Sequence, residues 1–312
     1  MGIRVSTFGG RIGWIARKIM PRVGSTIFTQ LSFAIRKKEC QEYIKLFMRT
    51  APPPLSISLE TINRCNGLCS FCPCNVKDEV RPLKYMVDEV FKRIVQSMVD
   101  WNYQGRIVMN VNNEPFLDHN LLSRVQLLRN ILPNNWIYII TNGTMLDVET
   151  VKNFAPFVNR IDINNYSKRM KLHNNLEEII SFARTNPGEF LNIEINIIYR
   201  YIDEVLSNRA GTAPNKPLGK KNVKQPCLEP FTGMYIYPDG IVGLCCNDTS
   251  EKIKLGDVCE RHLEEIWNSP DFWTVREKMR NDRSGYHFCR YCDVFPNESR
   301  TKLKRYLHAA TQ

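Results

Sequence analysis

Cys65, Cys69 and Cys72 stand as C-x3-C-x2-C in the stretch Arg64-Cys65-Asn66-Gly67-Leu68-Cys69-Ser70-Phe71-Cys72-Pro73. Cysteine thiolates hold iron–sulfur clusters, and a four-iron cluster offers four irons to ligate. A compact loop that supplies three thiolates leaves one iron open to an outside ligand, as a reaction at the cluster requires. A structural zinc site is the competing chemistry, but it wants four protein ligands and more often shows two C-x2-C pairs. Three packed cysteines at a chance spacing are the remaining alternative.

A second set follows near the C-terminus: Cys227, the pair Cys245-Cys246, and Cys289-x2-Cys292. Positions that converge from a hairpin and a C-x2-C loop make a closed metal site, for a cluster or for zinc. Adjacent residues on a strand point to opposite faces, so Cys245 is taken as the ligand and Cys246 as its neighbour facing away. Cys40, Cys74 and Cys259 are read as small buried hydrophobes rather than ligands.

The elements that must carry these groups can be traced from the periodicity. After Pro52-Pro53-Pro54, residues Leu55 to Glu60 alternate as a strand and deliver the first cysteine loop. Val87, Val90, Phe91, Ile94, Val95 and Met98 have helical spacing. Further strands are expected over Arg106–Val111, Trp136–Ile140, Val158–Ile163 and Leu191–Ile198, with helices over Leu121–Ile131, Val148–Phe154 and Leu176–Ala183. Repeated strand–helix units imply a parallel sheet with right-handed crossovers. In barrel-like sheets of this kind, chemistry gathers at the C-terminal strand ends. Asn215–Gln225 reads as a polar linker. Pro238-Asp239-Gly240, flanked by apolar runs, reads as a hairpin turn. Short helices are expected over Leu263–Trp267 and Phe272–Met279.

The 312 residues suit one large domain with a small appendage, and a hydrophobic share of 43% supplies a core. The eleven cysteines are clustered and no secretory signal is evident. A reducing cytoplasm with metal ligation is therefore expected, not a disulfide framework. In that compartment the sequons Asn247-Asp248-Thr249 and Asn297-Glu298-Ser299 carry no meaning. No apolar run reaches the roughly 20 residues needed to span a bilayer.

The net charge of +11 is concentrated at the start: ten Lys or Arg up to residue 50 face only Glu39 and Glu42. This basic amphipathic extension, residues 1–50, is read as packing against the rest with its charges solvated. A peripheral contact with an anionic membrane is the alternative. Met1-Gly2 with Ser6 matches the start of a myristoylation signal, a pattern short enough to arise by chance.

Taken together, the first cysteine loop and its setting resemble the radical SAM superfamily. The resemblance implies an α/β fold, a partial (β/α)6 TIM-like barrel over residues 51–212. Residues 213–312, with Cys227, Cys245, Cys289 and Cys292, resemble the C-terminal SPASM or shorter twitch domain, which implies an auxiliary [4Fe-4S] cluster. With no cysteine after Cys292, one auxiliary cluster is expected. The resemblance further implies that Cys65, Cys69 and Cys72 hold a [4Fe-4S] cluster whose open iron chelates S-adenosylmethionine. Asn112-Asn113-Glu114-Pro115 is similar to the family's Gly-Gly-Glu-Pro motif with both glycines replaced. By that likeness Glu114 would accept from the cofactor's amino group, a charge-assisted bond, with Asn113 beside it. Asn142 and Asn164 fall where the family places polar contacts to the cofactor. Arg209, in Asn208-Arg209-Ala210-Gly211, would hold its carboxylate.

The activity implied is reductive cleavage of S-adenosylmethionine to a 5′-deoxyadenosyl radical that abstracts hydrogen from a sugar- or aminocyclitol-like molecule. Oxidation or epimerisation would follow. Peptide modification is the second expectation, and RNA modification or a non-catalytic cluster protein the more distant ones; no nucleic acid partner is expected. For an epimerase, Cys246 is the candidate catalytic thiol, with Cys259 as another donor. An electron donor such as flavodoxin or ferredoxin is implied as partner.

Overall fold

The computed structural model describes residues 3–7, 37–75, 81–218, 225–287 and 289–294. Its frame is one open, nine-stranded sheet. The strands are β1 (Ile3–Thr7), β2 (Ser56–Leu59), β3 (Arg106–Val108), β4 (Ile137–Thr141), β5 (Arg160–Ser167), β6 (Glu194–Tyr201), β7 (Gly233–Ile236), β8 (Ile241–Gly243) and β9 (Lys254–Asp257). Their spatial order is β1-β6-β5-β4-β3-β2-β7-β8-β9. From β1 to β7 every pairing is parallel, and only the last two are antiparallel.

The four parallel steps from β2 to β6 need crossovers, supplied by α2 (Asp88–Asp100), α3 (Leu121–Ile131), α4 (Val148–Phe154) and α5 (Asn174–Thr185). The buried stripe of α2 is Val90, Phe91, Ile94, Val95 and Met98. Val87 belongs to the same sequence period but serves as the N-cap and is 55% exposed. On the sheet, Met234, Ile57, Ile107 and Ile137 lie in register across four strands, as do Ile139, Ile161 and Ile195 across three. All are at most 1% exposed. Each such side chain contributes about 1.5–3 kcal/mol by leaving water, so this face fixes the register of the strands. The alternate residues, among them Ile140, Asn164 and Tyr166, face the other side and line a cleft.

The five parallel strands β2–β6 leave the sheet open, as a partial barrel implies. Two features go beyond the sequence expectation. The sixth place, beside β6, is taken by β1. Residues 3–7 therefore belong to the sheet and not to an appended extension. The alternation of Ile3, Val5 and Thr7 fits a strand, but five residues in a basic lead are a weak signal. At the other edge β7 pairs in parallel with β2, so the C-terminal segment continues the same sheet. A division at residue 212 runs through a continuous layer.

Within the basic lead, residues 37–50 form helix α1, with Cys40, Tyr43, Ile44 and Phe47 buried at helical spacing. Phe47 meets Phe231 and Trp267 edge-on, and Tyr43 donates to the Phe231 carbonyl. Arg276 of α8 (Pro270–Met279) is fully buried with its guanidinium over Phe47, Trp267, Phe272 and Trp273. It also donates to the carbonyls of Pro230 and Trp267, a carbonyl of α7 (Leu263–Trp267). This part of the lead packs as expected. The stretch over residues 8–36, to which a membrane contact was ascribed, lies outside the described residues. No helix among those described is long and apolar enough to cross a membrane.

Candidate active site

Cys65, Cys69 and Cys72 sit on the loop leaving β2, at the C-terminal end of the parallel strands. A turn closes the loop, with Cys72 N–H donating to the Cys69 carbonyl at 3.1 Å. A Cβ at Gly67 would stand 3.3 Å from Cys65 Sγ and 3.8 Å from Cys69 Sγ, so the loop curls its thiols around a glycine. The three cysteines line a cleft of about 160 Å³. Glu114, Asn113, Asn142, Asn164 and Arg209 line the same cleft, so every residue expected to meet the cofactor is gathered there from five separate segments.

Several contacts hold these groups. Asn142 donates its backbone N–H to Glu114 Oε2 at 2.8 Å and its amide to Asn66 Oδ1 at 2.7 Å, joining the end of β4 to the cysteine loop. Glu114 is 1% exposed. Its Oε1 accepts from Thr141 Oγ1 at 2.6 Å and from Phe116 N at 3.2 Å. Burial raises its pKa above the ordinary glutamate value, opposed by the bonds from Asn142, Thr141 and Phe116. Asn112 and Asn113 stand where the similar motif has glycines, and neither has a positive φ. Asparagine therefore stands there without backbone strain. Asn165 turns the other way, fastening the turn that follows β5 through Lys171 O and His173 N.

The thiols differ. Burial pushes Cys65 up to about 11 and Cys69 up to about 12. Cys72 falls to about 6, because a hydrogen bond from Cys74 favours its thiolate and the Arg209 charge adds to this, against its own burial. The single Cys74 S–H has two acceptors in reach, Cys72 and the Asn112 carbonyl at 3.3 Å.

Cys227, Cys245, Cys289 and Cys292 line a second, smaller cavity of about 20 Å³. Cys245 and Cys246 follow the β7–β8 hairpin, whose turn needs Gly240 at φ +88°. Only Cys245 of the pair faces the cavity. Cys246 lines neither cavity, and its carbonyl accepts from Arg209 at 3.1 Å. Burial raises the Cys227 and Cys245 thiols and pushes Cys289 up to about 12. Arg283 stands in the wall, 2% exposed, donating to the carbonyls of Cys292 and Val294.

Arg209 joins the two sites. Its Nη2 donates to Asn112 Oδ1 at 2.7 Å in the first wall and to the Cys246 carbonyl beside the second. Arg209 and Ala210 both have positive φ, 45° and 58°. Such non-glycine conformations cost about 1–3 kcal/mol each and persist only where the surroundings enforce them. Here Asn208 clasps the second cysteine loop: Asn208 N donates to Asp293 Oδ1, Asp293 N to Asn208 Oδ1, and Asn208 Nδ2 to Tyr291 O.

Sequence reasoning missed a buried ion cluster below the first site. Glu60 accepts two bonds from Arg81 at 2.7 and 2.9 Å, and its Oε1 also accepts from Asn112 N at 3.0 Å. Arg81 also pairs with Glu251 from the C-terminal segment. Nothing in the spacing of residues 60, 81 and 251 signals this. Cys74 and Cys259 were expected to be plain buried hydrophobes, but Cys74 lines the cleft and Cys259 is exposed.

The donor set fits a cluster with an open iron at the first site and a closed one at the second. Asn112 Nδ2, Asn113 Nδ2 and Arg209 Nε are buried at the first cleft with no hydrogen-bond partner among the described residues, as is Arg283 Nε at the second. Buried donors without partners are costly unless a ligand meets them. No three Cys, His, Asp or Glu side chains among the described residues gather as around a single metal ion.

Fold and sites thus set two groups of cysteines on one sheet, one at an open cleft and one around a closed cavity. Comparison with known proteins agrees. The radical SAM superfamily model matches residues 59–167, and that of the SPASM iron–sulfur cluster-binding domain matches residues 227–293. The S-adenosyl-L-methionine-dependent 2-deoxy-scyllo-inosamine dehydrogenase of Niallia circulans is 23% identical over 239 residues, covering 76% of this chain and 92% of that enzyme. The crystal structure of BtrN with AdoMet and 2-DOIA superposes with a TM-score of 0.67 at 21% identity, covering 78% and 94% of the two chains. AdoMet-bound anSMEcpe superposes at 0.53 and 13% identity, covering 83% and 96%. The chain belongs to the radical SAM superfamily and carries a C-terminal SPASM domain. Its cofactors are S-adenosylmethionine and [4Fe-4S] clusters.

Proposed function

We propose that this enzyme oxidises a polyhydroxylated small molecule of the aminocyclitol or sugar class by two electrons. The dehydrogenase name of the Niallia circulans relative supports the reaction type and the substrate class. The observation that carries the reading is the pair of sites bridged by Arg209, an open cleft beside a closed cavity lined by four thiols. In this reading Cys65, Cys69 and Cys72 hold the cluster that binds S-adenosylmethionine, and Cys227, Cys245, Cys289 and Cys292 hold the auxiliary one.

When bound, these cofactors supply a radical able to take hydrogen from an unreactive C–H bond and a sink for the second electron. The protein's part is to orient and to exclude water. Glu114 would accept from the ammonium of S-adenosylmethionine, and the unpartnered amides of Asn112 and Asn113 would supply donors. Asn142 ties the cysteine loop to β4, while Asn164 and Tyr166 form the floor. Arg209 keeps the closed cavity against the open cleft, favouring passage of the electron over return of a hydrogen atom. That Cys246 lines neither cavity also speaks against thiol donation. All eleven cysteines are unpaired, in keeping with a reducing cytoplasm.

The test is anaerobic turnover of 2-deoxy-scyllo-inosamine in deuterated water. The expected result is one 5′-deoxyadenosine for each ketone product, with no deuterium at carbon. An unoxidised product carrying one deuterium would make the enzyme an epimerase. Activity confined to peptides would replace the substrate class.

A further inference from the structure

The first cysteine loop forms part of an exposed surface patch that the cleft chemistry does not use. Leu68, between Cys65 and Cys69, is 81% exposed. Ser70, next to Cys69, donates both its N–H and its hydroxyl to the Ile202 carbonyl, each at 3.2 Å. This places Tyr201, 54% exposed, and Val205, 62% exposed, beside the loop. Ile202 N in turn donates to Ser167 O, and Lys171 N to Ser167 Oγ, so the turn after β5 completes the surface with exposed Lys168, Arg169 and Lys171. Exposed Asp203 is the acidic residue within it, while Glu204 is paired with Arg200.

Three exposed apolar side chains edged by three cations have the anatomy of an interface with an apolar centre and a charged rim. The longer tracts of this chain outside the described residues do not complement it. Residues 8–36 hold five basic and no acidic residues, residues 219–224 hold three lysines and no acid, and residues 295–312 hold four basic residues against Glu298. Like charge disfavours docking any of these three on this rim. Residues 76–80 hold Asp78 and Glu79 against Lys77, a single net negative charge on five residues, far short of the roughly 20–30 residues a side of a protein interface.

We infer that this patch, Leu68, Tyr201 and Val205 with Lys168, Arg169 and Lys171, docks a small acidic one-electron carrier protein that reduces the first-site cluster. The inference rests on the radical SAM reading of that site. One electron passes from the reduced carrier, which is oxidised by one unit, to the cluster, which is reduced by one; no proton or group moves. The patch abuts Cys69, whose thiol lies in the field of Glu204 and Arg200 from the same segment. Weak redox encounters bury less than about 1,200 Å², a size a patch of this kind can supply. Rim charges mainly set the association rate and its salt dependence.

The test uses the holoenzyme with flavodoxin hydroquinone as probe. The triple variant Lys168→Glu/Arg169→Glu/Lys171→Glu and the single variant Val205→Asp are compared with the unaltered protein. The triple variant is expected to bind flavodoxin at least tenfold more weakly at low salt and to lose most of the salt dependence of cluster reduction. Dithionite-driven formation of 5′-deoxyadenosine should be unchanged, which shows the fold intact. Val205→Asp should weaken binding by a smaller factor at all salt concentrations. Unchanged flavodoxin affinity in both variants overturns the inference. So does a rise in substrate KM under dithionite, which would make the patch a substrate-docking surface. Dithionite-driven cleavage by the unaltered protein reports separately on the radical SAM reading.

Discussion

The two cysteine sites share a building block and differ in what surrounds it. Each rests on a C-x2-C turn in which the second cysteine's N–H meets the first one's carbonyl, at 3.1 Å for Cys69 and Cys72 and 3.0 Å for Cys289 and Cys292. At the first site three thiols are half-buried beside a cleft of about 160 Å³ fringed by amides and a carboxylate. At the second, Cys245, Cys289 and Cys292 are buried around about 20 Å³ of space. One site opens on a cleft with space beyond its thiols, and the other closes around its four thiols. What the neighbours of a ligand set allow decides its chemistry as much as the ligands do. In the proposed function the same turn would serve bond cleavage in one place and take up an electron in the other.

The comparison breaks first at the open site. With one cluster held by the thiolates of each site, as proposed, changing Cys65, Cys69 and Cys72 together to alanine should abolish S-adenosylmethionine cleavage and remove about half of the bound iron. Cleavage surviving in that variant would remove the first site from the chemistry. Cys289→Ala should have the next largest effect, sparing cleavage to 5′-deoxyadenosine while abolishing the oxidised product. Metal analysis checks the assignment, and loss of zinc in place of iron would make the closed site structural.

Glu114→Gln acts on the open site alone. It removes a charged hydrogen bond worth about 1.5–3 kcal/mol, so S-adenosylmethionine affinity should fall roughly tenfold or more. Equilibrium binding measures this, and an unchanged dissociation constant would leave Glu114 as the cap of its own short turn. Arg209→Lys tests the bridge. Both bonds come from Nη2, and lysine lacks the rigid planar guanidinium that aims that nitrogen at Asn112 and the Cys246 carbonyl together. The ratio of oxidised product to 5′-deoxyadenosine should drop severalfold while the iron content holds. A ratio that stays fixed would uncouple the bridge from the second electron. Smallest of all, Cys259→Ser at an exposed position should leave iron, cleavage and product unchanged. Iron loss there would redraw the ligand set.

Much of this was legible along the chain because it depends on local pattern. The spacing of Cys65, Cys69 and Cys72 fixes how a single loop can curl, and Leu55–Glu60 announces the strand that bears it. The period of Val90, Phe91, Ile94 and Val95 gives a helix whatever it packs on. The choice of Cys245 over Cys246 is drawn from the opposed faces of a strand, whereas both follow the end of β8, and the cavity lining agrees with it. Asn165, next to Asn164 on β5, does turn away for that reason, since neighbours on a strand face opposite sides.

Contacts between distant segments left no such trace. The sequence by itself determined the order of strands after residue 50, the two thiol sets and the polar residues at the strand ends. Only the tertiary structure decided that residues 3–7 fill the sixth strand position, because parallel pairing is a match between edges with no periodic signature of its own. It also decided that Glu60, Arg81 and Glu251 meet in the interior, where three charges are tolerable only through one another. And it placed Arg209 in a left-handed turn between the two sites. That conformation is unfavourable for arginine in isolation and exists because Asn208, Asn112 and Cys246 hold the segment from three directions.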